Sequence, residues 1–241
     1  GIYRGDDLVA DFRLSTDTER TADEYGAMLL PLFGRSGIDP ATASAVIVSS
    51  VVPPLNSTLS RLSTEFFGRP PLYVEPGIRT GMPIRYDNPA EVGADRIVNA
   101  VAARELYGAP VVVVDFGTAT TFDLVNAAGE YAGGIIAPGI LISAEALFAR
   151  ASRLYRVDVR RPADLIGRNT AGAMQAGIYF GYIGLVDGIL ERLQQEVPGL
   201  REIVATGGQA ELIASGSRFI RKTEPLLTMI GLKLIYDRNR A

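Results

Sequence analysis

Hydrophobic and polar positions along this chain alternate between short apolar runs and longer stretches with helical periodicity. The densest apolar run is Val111–Val114, which is long enough for one buried strand. A mostly polar stretch follows, Asp115–Thr121, and a second apolar segment ends at Val125. Strand, short polar turn and strand is the pattern of a β-hairpin, so we predict one over Val111–Val125.

The same patterning predicts strands and helices along the rest of the chain. Short apolar runs bounded by turn residues predict strands over Leu8–Leu14, Ala45–Val52, Pro71–Val74, Tyr131–Ile136, Arg156–Val159 and Glu202–Ala205. Helical periodicity and capping residues predict helices from Thr21 or Asp23 to Leu30, from Asn56 or Ser57 to Phe67, over Glu91–Tyr107, from Ser143 to about Leu154, over Thr170–Val197 and over Leu226–Tyr236. Pro31 is poorly placed for the first helix to continue to Phe33, because an internal proline removes a backbone hydrogen bond.

One face of the long predicted helix carries a series of glycines, at positions 177, 181, 184 and 188. Each glycine costs the helix about 1 kcal/mol relative to alanine. Such a face allows another backbone to approach closely, and the candidates are a sheet, a packed helix or a subunit partner.

The order of strand-rich and helical stretches favours an α/β fold with two similar halves. We place them at residues 1–108 and 109–241, so that the second half opens with the Val111–Val125 hairpin.

Composition narrows the class of protein. The net charge of −3 gives no electrostatic argument for binding to nucleic acid or to an anionic membrane. The apolar runs are broken well short of the ~20 residues that a membrane span needs. The chain has no cysteine and no segment with the pattern of a signal peptide, so a cytoplasmic location is expected.

The chain also has no histidine, which excludes a Ser-His-Asp triad, a histidine base and a histidine-ligated zinc site. The only lysines, Lys222 and Lys233, do not follow a glycine-rich loop, which excludes a P-loop. An enzyme with this composition would use a carboxylate as its base, and oxygen ligands for a hard cation.

Three segments carry candidate chemistry. The Asp115–Thr121 turn combines a carboxylate, a glycine and hydroxyls, which suits a phosphate with its cation, although a plain hairpin turn also favours Gly and Thr. Asp95 lies near the start of a predicted helix, where the dipole favours its charge, and an ordinary helix-terminal acid is the alternative. The third segment is Thr206-Gly207-Gly208, where glycines let a phosphate approach the backbone; a simple strand-to-helix turn is the alternative.

These segments, in this order, resemble type III pantothenate kinase. The resemblance is carried by YDNPAEVGADR (Tyr86–Arg96), GGIIAPGI (Gly133–Ile140) and RNTAGAMQAG (Arg168–Gly177), and it extends over nearly the whole chain. That family belongs to the superfamily of acetate and sugar kinases, Hsp70 and actin. The resemblance implies two ribonuclease-H-like domains with a nucleotide cleft between them, and a homodimer.

The resemblance also implies an activity and roles for particular residues. The activity is ATP-dependent phosphorylation of pantothenate, the first step towards coenzyme A, with Mg²⁺ accompanying ATP. Asp95 would be the general base. Substrate contacts are implied for Tyr86, Gly93, Ala94, Asp95, Arg96 and Thr170. Asp115 would hold a monovalent cation such as K⁺ or NH₄⁺, and Gly117, Thr118, Gly207 and Gly208 would bind ATP.

The sequence departs from the family pattern at its N-terminal end. The family opens with a strand and an Asp-x-Gly-Asn-Thr turn that binds ATP phosphates, and this sequence starts at the strand after it. The gap is about 15 residues, roughly a strand with its turn, and a chain lacking them is expected to be weakly active or inactive.

Two functions are alternatives to a pantothenate kinase. One is a non-catalytic transcription accessory factor of the same family, and the other is another kinase or phosphatase of the superfamily.

Overall fold

The computed structural model describes residues 1–151 and 154–240 as a mixed α/β protein. Its strands are β1 (Ile2–Arg4), β2 (Asp7–Ala10), β3 (Val46–Val48), β4 (Pro71–Tyr73), β5 (Val111–Phe116), β6 (Ala119–Val125), β7 (Tyr131–Pro138), β8 (Glu202–Gly207) and β9 (Lys222–Thr223). Its α-helices are α1 (Ala22–Arg35), α2 (Asn56–Phe67), α3 (Ala94–Tyr107), α4 (Ile140–Arg150), α5 (Thr170–Glu196), α6 (Ala210–Ala214) and α7 (Leu227–Asn239).

Residue contacts group the chain into two compact units. The first comprises residues 1–81, residues 88–98 and the stretch from Thr228 onward, and the second comprises residues 82–87 and 99–227. Helix α3 therefore begins in the first unit and continues in the second after Val98. The boundaries of these units differ from those of the predicted domains, residues 1–108 and 109–241. The domain division at residue 108 stays a prediction.

The first unit contains two small sheets. Strands β1 and β2 form an antiparallel hairpin, and β3 pairs in parallel with β4. Two of the three predicted strands in this region are clearly longer than those observed, since β2 ends at Ala10 rather than Leu14, and β3 covers only part of Ala45–Val52. Each of these two strands is paired with a strand of three residues.

Helices α1 and α2 pack together in the first unit around a small core of Ala22, Tyr25, Leu55 and Leu62. Thr21 caps α1, accepting a hydrogen bond from the Glu24 N–H while the Glu24 carboxylate accepts one from the Thr21 N–H. The predicted end of α1 near Leu30 was wrong, because the helix continues through Pro31 to Arg35. Phe33, in this continuation, is buried and stacks with other phenylalanines, so burial offsets the hydrogen bond lost at proline.

The other helix of the first unit is α7, which was predicted over Leu226–Tyr236 and is observed over Leu227–Asn239. It packs closely on the start of α3, since a Cβ added at Gly231 would lie only 2.1 Å from the Val98 carbonyl oxygen. Glycine at this position is therefore required by the packing of two helices, and the packing fixes the first turn of α3.

The second unit contains a five-stranded mixed sheet in the order β7-β6-β5-β8-β9. Strands β5, β6 and β7 are antiparallel neighbours, whereas β8 pairs in parallel with both β5 and β9. The predicted hairpin over Val111–Val125 is confirmed, and residues 111–114 are fully buried. A fully buried strand at the centre of a sheet is what a continuous valine run favours.

Helix α5 covers the sheet of the second unit and places Tyr182, Val186 and Leu190 in its core. By length and composition it is the one helix of the described residues that could cross a membrane. Its buried side includes Asp187, whose carboxylate accepts hydrogen bonds from Ser217 Oγ and the Arg218 N–H. Because one face of α5 is buried in the core and carries a hydrogen-bonded carboxylate, the helix has the arrangement of a core helix.

Other predicted boundaries need correction. Helix α3 begins at Ala94 rather than Glu91, because residues 89–91 form a separate 3₁₀ turn capped by Asn88. Helix α4 begins at Ile140 rather than Ser143, because the Ser143 N–H already donates a helical hydrogen bond to the Gly139 carbonyl. The helix ends at Arg150. The predicted extension to about Leu154 crosses residues 152 and 153, which lie outside the described residues. The predicted strand Arg156–Val159 is not a strand, and Val159 packs on the core instead.

Candidate functional site

The first unit positions Gly93, Ala94, Asp95 and Arg96 together at the start of α3. The Gly93 carbonyl accepts hydrogen bonds from the N–H groups of Arg96 and Ile97, so the helix begins immediately after it. Asp95 lies in the first turn, where free backbone N–H groups and the helix dipole favour a negative charge.

The Asp95 carboxylate is held by its own helix turn. Oδ1 accepts a hydrogen bond of 2.8 Å from the Arg96 N–H. A Cβ added at Gly93 would lie 2.7 Å from that Oδ1 atom, so glycine leaves the space that the carboxylate occupies. The second oxygen, Oδ2, accepts no hydrogen bond from the described residues. One oxygen is thus fixed and the other is available to a ligand.

Arg96 is an unusual neighbour for Asp95 because it is largely buried, with only 8% of the residue exposed. Arginine is seldom buried unless its charge is paired. The first unit therefore places a half-buried carboxylate and a buried guanidinium at consecutive positions of one helix terminus.

The second unit brings together two segments that are far apart in sequence. Strands β5 and β8 are parallel neighbours, with Asp115 paired to Thr206 and Phe116 paired to Gly207. The carboxyl ends of the two strands therefore lie side by side, and the Asp115–Thr121 turn and the Thr206-Gly207-Gly208 segment form one edge of the sheet. The prediction that these segments share a site is consistent with this pairing.

Gly207 accommodates the Asp115 side chain. Its φ is +92°, and an added Cβ would lie 2.6 Å from Asp115 Oδ1 and 2.7 Å from the Phe116 backbone. The other carboxylate oxygen, Asp115 Oδ2, accepts a hydrogen bond of 2.9 Å from Asn99 Nδ2. Asn99 is 1% exposed. Asp115 is thereby oriented by a buried amide and packed over a glycine.

The tip of the β5–β6 hairpin is the pair Gly117-Thr118, and both residues are exposed. The Gly117 N–H donates to the Ala119 carbonyl, and the Gly139 N–H donates to the Thr118 carbonyl. A Cβ at Gly139 would lie 2.2 Å from that Thr118 oxygen, so only glycine fits. The turn is therefore fixed by the residue between β7 and α4, while the Thr118 hydroxyl stays accessible.

Below the tip, the hairpin is anchored to α5 through a buried phenol. Tyr182 shares a short hydrogen bond with the Thr120 hydroxyl and donates to the Pro138 carbonyl at 3.0 Å. Burial raises the pKa of Tyr182, and the Thr120 hydrogen bond lowers it by a smaller amount. The phenol thus stays neutral and serves as a structural donor that holds the hairpin against α5.

The groups around Asp115 are suited to a hard cation. Its carboxylate, the hairpin carbonyls and the Thr118 hydroxyl all offer oxygen, the ligand that such cations prefer. Within residues 1–151 and 154–240, no three acidic, histidine or cysteine side chains gather in one place. A cation here would therefore share Asp115 with carbonyl and hydroxyl oxygens rather than with further carboxylates.

Tyr86 belongs to the short 82–87 segment of the second unit. Its side chain lies over Gly133, where an added Cβ would be 3.7 Å from two carbons of the ring. The ring also faces that of Tyr131 at a centroid distance of 6.4 Å, and the residue is 36% exposed. Tyr86 is thus packed on one side and accessible on the other.

Thr170 is the first residue of α5, whose N-terminus is capped by Asn169 through a 2.8 Å hydrogen bond from the Gly172 N–H. It lines an open cavity of about 710 Å³ with Leu147 of α4 and Met174 and Gly177 of α5. No other predicted site residue lines this cavity, among the residues that the structure describes. Thr170 thus shares this cavity with none of Asp115, Thr118 and Gly207.

Sequence reasoning did not single out two residues that shape the site, Asn99 and Gly139. Asn99 was visible as a polar residue among buried positions of α3, between Val98 and Ala100. Gly139 follows a proline at a strand end, which indicates only a turn. The contacts of both residues depend on long-range packing, so no local pattern could have assigned them.

Comparisons with known proteins agree on one family. The family profile described as type III pantothenate kinase matches residues 1–192. A protein named type III pantothenate kinase from Geobacter sulfurreducens is 58% identical over 240 residues, covering 100% of this chain and 94% of that protein. Proteins of the same name from Koribacter versatilis and Geobacillus kaustophilus are 54% and 51% identical, over 100% and 99% of this chain and 88% and 93% of their own lengths.

One solved structure supports the fold. It is described as a Baf family transcriptional activator from Campylobacter jejuni, and it superposes with a TM-score of 0.58 at 22% identity. The match covers 82% of this chain and 84% of that chain. At this identity the likeness concerns the mixed α/β fold alone.

Proposed function

The chain belongs to the type III pantothenate kinase family, and we propose that Asp95 is the general base of its reaction. It is a kinase that uses ATP to phosphorylate pantothenate in coenzyme A biosynthesis. The observation that supports Asp95 is its geometry, with one oxygen fixed by the Arg96 N–H and the other available. A base needs such an accessible oxygen within hydrogen-bond reach of the proton it removes.

The reaction requires a hydroxyl of pantothenate to attack the terminal phosphoryl group of ATP. Phosphoryl transfer depends mainly on positioning and on neutralisation of charge, with a carboxylate that orients the hydroxyl and accepts its proton. This chain has no histidine or cysteine that could replace the carboxylate. Asp95 would hold the hydroxyl through Oδ2 while the helix keeps Oδ1 in place.

We assign pantothenate contacts to the residues around this carboxylate and to two residues of the second unit. Gly93 and Ala94 present backbone without bulk, and Arg96 supplies the positive charge that an anionic substrate such as pantothenate favours. Tyr86 offers an accessible phenol on a packed ring, and Thr170 offers a hydroxyl at a helix N-terminus.

We assign the ATP phosphates to the edge of the sheet in the second unit. Gly117 and Thr118 form an accessible turn, and Gly207 and Gly208 follow the neighbouring strand. Glycines let phosphates approach the backbone closely, and backbone N–H groups and hydroxyls bind their oxygens. Mg²⁺ bound with ATP would neutralise phosphate charge during transfer.

Asp115 is our candidate ligand for a monovalent cation, K⁺ or NH₄⁺. The proposal rests on the carboxylate itself, an oxygen ligand, and on its fixed orientation between Asn99 and Gly207. A monovalent cation there would add positive charge beside the phosphate turn, and Asp115 would hold it in place.

We further propose that the enzyme is a homodimer formed through the exposed face of α5. An added Cβ at Gly177, Gly181 or Gly184 meets nothing within 4 Å, so no backbone among the described residues uses the close approach that these glycines permit. Helix α4 exposes Leu141, Ile142 and Leu147, of which Leu147 lines the same cavity as Gly177. Exposed apolar side chains beside a glycine face suit a second copy of the chain.

The proposed location is the cytoplasm, where the kinase would act as a soluble enzyme. The role of α5 as a core helix supports this, because its buried side carries Asp187 with paired hydrogen bonds. Membrane attachment is not needed to explain the apolar composition of the helix.

The alternative of a non-catalytic transcription accessory factor is not favoured. Relatives named as kinases are 51–58% identical over essentially the whole chain. The structure described as a transcriptional activator is 22% identical and supports the fold alone.

The test is Asp95→Asn, which keeps the size of the side chain and removes its basicity. We expect kcat for ATP-dependent phosphorylation of pantothenate to fall about 10²–10⁴-fold, the usual contribution of a general base. Asp23→Asn is the matched control, since Asp23 is also an acid in the first turn of a helix of the first unit. Unchanged turnover in Asp95→Asn would remove the base assignment.

A further inference from the structure

Asp123 is a fully buried carboxylate that the proposed reaction does not use. It lies on β6, in the interior of the second unit's sheet, and it is 0% exposed. Burying a carboxylate costs several kcal/mol unless hydrogen bonds compensate, and an apolar residue would serve stability as well. The burial of Asp123 therefore indicates a role other than stabilising the fold.

One hydrogen-bond partner of Asp123 is Tyr131, the first residue of β7. Its Oδ1 accepts a 2.7 Å hydrogen bond from the phenol of Tyr131, and its Oδ2 accepts one of 2.8 Å from the Thr121 hydroxyl. Tyr131 is itself 0% exposed. The carboxylate thus fixes the position of the Tyr131 ring, because a charge-assisted hydrogen bond of this length is strong and directional.

Tyr131 in turn holds the segment that carries Tyr86. The Tyr131 N–H donates to the Pro83 carbonyl at 2.9 Å, and the Tyr131 carbonyl accepts from the Arg85 N–H at 2.7 Å. Both backbone groups of one residue therefore pair with the residues just before Tyr86. Ile84, between them, forms an isolated parallel bridge with Tyr131.

The side chains strengthen this attachment. The Tyr86 and Tyr131 rings face each other at 6.4 Å with a tilt of 51°, within the range of favourable aromatic pairs. Arg85 forms an ion pair of 2.9 Å with Glu130, the residue before Tyr131, and this hydrogen-bonded guanidinium lowers the pKa of the Glu130 carboxyl. The 82–87 segment is therefore fastened to β7 by backbone, ring and charge.

We infer that Tyr131 and Asp123 are positioning residues that set the affinity for pantothenate by holding Tyr86 in its binding position. The inference rests on the proposed function, in which Tyr86 contacts pantothenate. Neither residue touches the reacting atoms in this account, so their loss should change the recognition of pantothenate and leave the chemical step intact.

The first experiment is Tyr131→Phe, which removes one hydroxyl and keeps the ring and both backbone hydrogen bonds. We expect the KM for pantothenate to rise about three- to tenfold, with kcat and the KM for ATP changed less than about twofold, since one positioning hydrogen bond is lost. Tyr179→Phe is the matched control, because Tyr179 is a buried tyrosine of the same unit whose hydroxyl pairs at 3.4 Å with Ser215.

A double-mutant cycle tests whether the effect passes through Tyr86. Tyr131→Phe should raise the KM for pantothenate in the wild-type background and have little further effect in Tyr86→Ala, because coupled residues are non-additive. Additive effects would overturn the inference. If Tyr131→Phe folds poorly, Asp123→Asn replaces it, since the amide oxygen still accepts from Tyr131 through a weaker, uncharged bond.

Hydrogen exchange provides a readout that does not depend on the reaction. Tyr131→Phe should increase amide exchange in residues 82–87, and Tyr179→Phe should not. Faster exchange without a change in the KM for pantothenate would overturn the substrate role, and unchanged exchange would overturn the attachment itself. A Tyr86→Ala variant with the same KM for pantothenate as the wild-type protein would instead contradict the proposed contact between Tyr86 and pantothenate.

Discussion

Asn99 donates a hydrogen bond from its side-chain amide to Oδ2 of Asp115 at a distance of 2.9 Å. The donor is buried on α3 and the acceptor lies near the end of β5, at the edge of the sheet where β8 also ends. One carboxylate oxygen is thereby occupied, and the other lies over Gly207. Asn99, which the sequence analysis did not select, therefore orients the carboxylate of Asp115, which it did select.

The Asn99–Asp115 hydrogen bond leads to a prediction about cation dependence. Asp115→Asn should abolish the increase in pantothenate phosphorylation when K⁺ or NH₄⁺ replaces Na⁺, because the charged ligand is lost. Asn99→Ala should weaken that increase without removing it. Initial rates in matched chloride salts measure both effects. Asp164→Asn, an exposed acid of the same unit, is the control, and persistence of full cation activation in Asp115→Asn would contradict the assignment.

Gly207 gives a prediction that separates backbone strain from steric conflict. Both Gly207 and Gly199 have positive φ, but an added Cβ meets Asp115 and the Phe116 backbone at Gly207 and nothing within 4 Å at Gly199. Alanine should cost about 1–2 kcal/mol of unfolding free energy at either position from the left-handed backbone. At Gly207, overpacking should add about 1–3 kcal/mol.

Urea denaturation of Gly207→Ala and Gly199→Ala measures these costs. Kinase activity at a temperature where both variants are folded should fall in Gly207→Ala, because Asp115 is displaced, and should be retained in Gly199→Ala. Equal stability and equal activity of the two variants would show that the contact with Asp115 has no consequence.

Asp187 should contribute to stability rather than to catalysis. Its buried carboxylate accepts from Ser217 Oγ at 2.6 Å and from the Arg218 N–H at 3.1 Å, which fixes the loop between α6 and β9. Asp187→Ala leaves those donors unpaired and should lower the unfolding free energy by about 1–3 kcal/mol. Denaturation curves of Asp187→Ala and of the control Asp158→Ala measure the difference. A loss of kcat without a loss of stability would contradict this role.

The exposed glycines of α5 predict the effect of a bulky charge on assembly. Gly181→Glu should convert the proposed dimer to a monomer, because a charged side chain would occupy the face where a second copy approaches. Gly34→Glu is the matched control, since an added Cβ at that helical glycine also meets nothing within 4 Å. Light scattering after size-exclusion chromatography gives the masses, and a dimeric Gly181→Glu would place the interface elsewhere.

The predictions from sequence succeeded where local signals were strong. The valine run and the polar turn specified the β5–β6 hairpin, and the predicted start of the long helix at Thr170 is the observed start of α5. They were wrong where tertiary contacts decided the outcome. Helix α1 continues through Pro31 because Phe33 is buried beyond it, and Val159 packs on the core of the second unit without residues 156–159 forming a strand.

The sequence by itself determined the family and the α/β class, and it supplied the candidate site residues, because these depend on residue types at short spacing. Only the tertiary structure decided that Asp115 lies beside Thr206 and Gly207, that Asn99 orients its carboxylate, and that Tyr131 holds the segment of Tyr86. The physical reason is that parallel strand pairing and buried hydrogen bonds join residues far apart in the chain. Such contacts are selected by the packing of the whole unit, and no local pattern records them.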